Sequence, residues 1–111
     1  MILRLENVLA AGAIVDNIVS GKSIEFAPDD ALLTIATATT ATGVRMAARL
    51  TDEVILDDSA IPFLTGGQPV IPDHVVVARQ AVARGDHLIL RLQNTTAGAL
   101  TVTTLIEVAP L

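Results

Sequence analysis

In Val44-Arg45-Met46-Ala47-Ala48-Arg49-Leu50, apolar Val44, Met46, Ala48 and Leu50 alternate with Arg45, Ala47 and Arg49. Successive side chains of a strand point to opposite faces, so this period of two predicts a half-buried β-strand and not a helix. Leu88-Ile89-Leu90-Arg91-Leu92-Gln93 repeats the pattern and places Leu88, Leu90 and Leu92 on one face. Both runs are bounded by turn residues, Gly43 and Thr51-Asp52 for the first, Gly85-Asp86 and Asn94-Thr95 for the second.

Moving outward from these runs, the same alternation of short apolar segments and turn signals continues. Residues 31–42, ALLTIATATTAT, are rich in Thr, lack a helix cap, and put Leu33, Ile35 and Thr37 on one face. Residues 23–27 read as a strand with Ile24 and Phe26 on one face and Glu25 on the other, closed by the turn Pro28-Asp29-Asp30. Glu53 to Leu56 reads as a short strand, and His74 to Ala78 as a β-branched one. Residues 80–86, QAVARGD, have the look of a bend or a single helical turn ending at Gly85. Residues 94–98 have hairpin-loop composition. The last strand covers residues 100–108, with Val102, Thr104, Ile106 and Val108 on one side. Near the start, Gly12 and the β-branched Ile14, Val15, Ile18 and Val19 favour a strand over residues 13–19. Residues 1–9 are an arm or an edge strand, although Ile2, Leu5, Val8 and Leu9 also fit a helical stripe that Gly21 could cap. The sum is a single all-β domain over residues 1–111, with roughly eight strands in a jelly-roll-like β-sandwich.

Composition bounds what such a domain can do. The chain has 111 residues, of which 51% are apolar, yet Phe26 and Phe63 are its only aromatics. Val, Leu, Ile and Ala must fill the core, and association with a neighbour is a natural second source of stability. The formal net charge is −5, with one lysine and six arginines. No basic run and no aromatic platform points to nucleic acid. The absence of cysteine removes disulfides, thiolate catalysis and Cys-based zinc sites. VLAAGAIV, residues 8–15, is apolar but too short for a membrane span, and Arg4, Glu6 and Asp16 flank it unlike the ends of a signal peptide.

Candidate chemistry is thin. His74 and His87 both stand at strand starts, thirteen positions apart, and read as residues of the sheet margin. The pairs Asp29-Asp30, Asp52-Glu53 and Asp57-Asp58 lack the spacing of a calcium loop and read as turn formers. Ser20, Ser23 and Ser59 lie in no nucleophile elbow. Asn94-Thr95-Thr96 matches a glycosylation sequon, and a turn accounts for it. The expectation is therefore no catalytic, cofactor or metal residue, and no enzyme.

Surface apolarity is the remaining signal. Residues 57–73 hold three of the five prolines and read as the longest loop. That loop carries Ile61, Phe63, Leu64, Val70 and Ile71 between acidic ends. Both faces of the final strand are largely uncharged, Leu105 among them, which calls for a second cover layer. Ile61, Phe63, Leu64, Val70, Ile71 and Leu105 are the candidate interface residues.

The segments NIVSGKSIEFAPDDALLTI and VIPDHVVVARQAVARGDHLILRLQNTTAGALTVTTLIEVAP resemble small structural proteins of bacteriophage virions. The two segments together make up just over half of the chain. It lies in the strand Gly21 to Phe26, in Pro72-Asp73 before a strand, in the Gly85-Asp86 to Asn94 stretch, and in Ala99 to Val102. Such proteins build or decorate capsids as jelly rolls and β-sandwiches and have no catalytic residues to carry over. The resemblance implies a homo-oligomer, often a trimer or pentamer, with other capsid proteins as partners, in a virion assembled in the host cytoplasm. A sugar- or receptor-binding module is the other class that fits a small β-sandwich, although Trp and Tyr, the usual platforms for sugar faces, are missing. A small enzyme is a third class, and it lacks any set of nucleophile, base and orienting group.

Overall fold

A computed structural model describes residues 2–39, 41–51, 53–61 and 76–110. Its strands are β1 (Ile2–Leu9), β2 (Ile14–Val15), β3 (Ala31–Thr39), β4 (Val44–Leu50), β5 (Glu53–Ala60), β6 (Val76–Val82), β7 (Leu88–Asn94) and β8 (Leu100–Pro110). One antiparallel sheet has the order β1-β8-β3-β6 and the other β2-β7-β4-β5. Four nested pairs, β1 with β8, β2 with β7, β3 with β6 and β4 with β5, describe a long hairpin rolled over on itself. That is the strand order of a jelly roll, a β-sandwich of two packed four-stranded sheets.

The two alternating runs of the sequence become neighbours. β4 pairs with β7 so that Met46 opposes Leu92 and Ala48 opposes Leu90. Val44, Met46, Ala48, Leu88, Leu90 and Leu92 form one wall of the core. Leu33 and Ile35 of β3 and Val102 and Ile106 of β8 form the other. Among the described residues, aliphatic side chains and Met46 fill it. Where β3 and β8 place threonines inward, the hydroxyls of Thr37 and Thr104 satisfy each other at 3.1 Å.

Several expected elements differ. Residues 13–19 contribute only β2, because the Asn17 side chain takes over the role of a ladder. Its Oδ1 accepts from the backbone N–H of Val19 and Leu90, and its Nδ2 donates to the Leu88 carbonyl. Ile18 and Val19 are then buried in a turn. Residues 23–27 form no strand beyond a single bridge between Phe26 and His87. Ile24 is buried while Phe26 is exposed, so they do not share a face. Residues 80–82 continue β6 in place of a helical turn, and β5 runs on through Asp57 and Asp58 to Ala60. Residues 94–98 are not a hairpin, since β7 and β8 lie in different sheets. Of the first nine residues, Ile2–Leu9 form an edge strand, β1.

Candidate functional site

Of the expected interface residues, Ile61 and Leu105 fall among the described ones. Ile61 is 5% exposed, within the domain's own core, and its N–H donates to the Val44 carbonyl. Burial against Val44 answers its apolarity, so it is not available to a neighbour. Phe63, Leu64, Val70 and Ile71 lie outside the described residues, as does His74. Leu105 points to the outer face of its sheet and is partly buried over Ala36 and Ala38, a small apolar cluster separate from the core. On that face Leu105 stands between Ala36 of β3 and Arg4 of β1.

Arg4 leads to the surface that composition alone did not single out, the outer edge of β1. This strand pairs with β8 over all eight residues without a register shift. Leu3 and Leu5 turn inward and are partly buried against the core. Ile2, Arg4, Glu6 and Val8 turn outward. Ile2 is 63% and Val8 73% exposed. Between them Arg4 Nη1 lies 4.0 Å from Glu6 Oε2, with both side chains in solvent. The free edge of an antiparallel strand leaves the N–H and C=O of alternate residues unpaired and ready to template another strand. The other edges are blunted. β2 has two residues. β5 breaks register twice against β4 and carries Glu53, Asp57 and Asp58. β6 shifts register against β3, and β5 and β6 approach each other. Alternation in residues 2–9 was the available signal for β1, but helical spacing fits Ile2, Leu5, Val8 and Leu9 as well.

A second constellation sits at the end of the sandwich that holds the β4–β5 and β6–β7 connections. The bridge between Phe26 and His87 stacks their rings with centroids 4.5 Å apart at 18°. His87 Nε2 lies 3.0 Å from Glu25 Oε2. The Gly21 N–H donates to Glu25 Oε1 at 2.9 Å. That backbone donor first, and the His87 contact second, hold the Glu25 carboxyl below the usual carboxylate range. Phe26 remains 55% exposed, so part of an aromatic ring is offered to solvent beside a carboxylate.

Arg45, Arg49 and Arg91 gather on the outer face of the second sheet, brought together by the β4–β7 register. Arg45 is neutralised by Asp58, with Nε 3.0 Å from Oδ2. Among the described residues no group of three or more His, Asp or Glu could hold a metal ion. Among the described residues no helix is long and apolar enough to cross a membrane. Compared with protein-family models, with curated proteins and with solved structures, the chain matches none.

Proposed function

We propose that this domain is a non-enzymatic structural subunit of a virus particle, a bacteriophage capsid or capsid-decorating protein that self-associates and stabilises the shell. The observation that carries the self-association is β1, a full-length sheet edge that pairs with no described strand on its free side and that exposes Ile2 and Val8. A domain that stays alone in solution pays for such an edge in aggregation; one built to assemble uses it. The jelly-roll order supports the virion role, since capsid domains are among the proteins that use it. The fold is shared with lectins and cupins, so the assignment leans also on the resemblance in residues 17–35 and 70–110. Quantitative mass spectrometry of particles purified from the source is the test. Many copies of the chain per particle are expected, and particles free of it would overturn the virion role.

The Phe26–His87–Glu25 group favours a second reading, a carbohydrate- or receptor-binding module. An exposed ring beside a carboxylate is the minimum for stacking on a sugar face while accepting from its hydroxyls. Retention of the monomer on a glycan column, lost in Phe26→Ala, would move the assignment there.

A further inference from the structure

We infer that a second copy of this chain pairs along β1, antiparallel about a two-fold axis through Leu5, to make one continuous eight-stranded sheet across the dimer. The inference rests on the reading of the domain as self-associating and specifies how two copies meet. A two-fold axis perpendicular to the sheet keeps the inner faces of both copies on the same side. Each residue must then oppose one of the same facing, because a one-residue slip would turn a core face toward solvent. Few registers satisfy this. Centred on Leu5, Ile2 opposes Val8, Arg4 opposes Glu6, Glu6 opposes Arg4 and Val8 opposes Ile2 on the outer face. The two exposed apolar side chains at the strand's ends cover one another, and the two charges between them meet their opposites. On the inner face Leu5 meets its own copy, and on either side of that pair Leu3 opposes Asn7.

The neighbouring allowed registers fail on charge. A shift one way sets Arg4 against Arg4, and a shift the other way sets Glu6 against Glu6. Like charges directly opposite across strands are destabilising, and opposite ones stabilise. The sequence of β1, ILRLENVL, is therefore complementary to itself in one register. The unbroken pairing of β1 with β8 keeps the strand regular enough to accept a partner over the whole overlap. The Arg4–Glu6 contact within one strand becomes one side of a four-charge group.

Charge reversal tests this directly, because both side chains are exposed and neither is part of the fold. In Arg4→Glu, both cross-strand pairs become Glu against Glu. In Glu6→Arg, both become Arg against Arg. An equimolar mixture restores two opposite-charge pairs in the heterodimer. Sedimentation velocity over a concentration series, with far-UV circular dichroism to confirm the fold, reads all three. The wild type is expected to dimerise or assemble further. Each variant alone should need about ten-fold more protein for the same assembly, and the mixture should return to wild-type behaviour. Variants that assemble like the wild type, or a mixture that fails to recover, would overturn the β1 pairing while leaving self-association through another surface intact. A wild type that stays monomeric at every concentration would overturn both.

Discussion

Asn94 carries more structure than any other polar residue of the described chain. It is fully buried at the end of β7. Its Nδ2 lies within hydrogen-bond distance of the Leu9, Ala10 and Gly98 carbonyls, and its Oδ1 accepts from the N–H and the hydroxyl of Thr96. One side chain thus ties the end of β1 to the β7–β8 connection. This also answers the sequon, since an amide so engaged inside the domain is not open to a glycan. Asn94→Ala would strand buried carbonyls and should cost about 1–3 kcal/mol, read as a lower urea midpoint at unchanged slope. Gly43, beside it, has φ +114° and lies so close to Thr96 that a Cβ would run into the Thr96 methyl. Gly43→Ala should therefore destabilise through backbone strain and overlap together, and Gly43→Ala with Thr96→Ser should recover part of the loss by removing that methyl. Glu25 gives the residue scale its pH dependence. Its folded pKa lies below its unfolded value, so the stability it adds is present above the unfolded value and is lost as pH falls through the folded one. Carboxyl titration by NMR should place Glu25 below the ordinary glutamate value. His87→Ala should raise it only partly, because the Gly21 N–H is the larger cause.

At the scale of the element, β7 offers the cleanest contrast. Leu90 is wholly buried, while Arg91, the next residue, points to the outer face beside Ala47. Leu90→Ala should cost roughly 2–5 kcal/mol through lost transfer energy and the cavity left behind, and Arg91→Ala within about 0.5 kcal/mol. Equal thermal midpoints for the two would reverse the assignment of faces. β4 and β7 were legible in the sequence because each has one face in the core and one in solvent, and that division writes itself as alternation. Asp57 and Asp58 hid the second half of β5, since on an edge strand charge is tolerated where a central strand would exclude it. Residues 13–19 misled for another reason. Ile18 and Val19 are apolar because they are buried, and burial in a turn looks like burial in a strand until Asn17 is seen supplying the hydrogen bonds. The composition of residues 94–98 announces a turn of the chain, but not whether it returns within a sheet or crosses to the other one. The candidate site suffered most. Arg4 and Glu6 are two ordinary charges in the sequence, and their complementarity has meaning only once β1 is known to be an edge and its outer face is known.

For the whole molecule, the nested pairs set the cost of folding. β4 and β5 are joined by a short turn, whereas β1 must find β8 across nearly the whole chain. Closure entropy rises with the length of chain enclosed, and contacts distant in sequence slow the search. The β4–β5 hairpin with β7 laid against it is therefore expected to be native-like in the folding transition state, and the β1–β8 seam to form last. Conservative substitutions should give high φ-values at Met46 and low ones at Leu3 and Leu5. A chain leaving the ribosome meets this order as a delay. Of the domain's strands β1 emerges first and β8 last, so until β8 is out β1 has two bare edges in place of one. During that interval, nascent chains crowded on one message hold out the same strand to each other before any of them has a sandwich to attach it to.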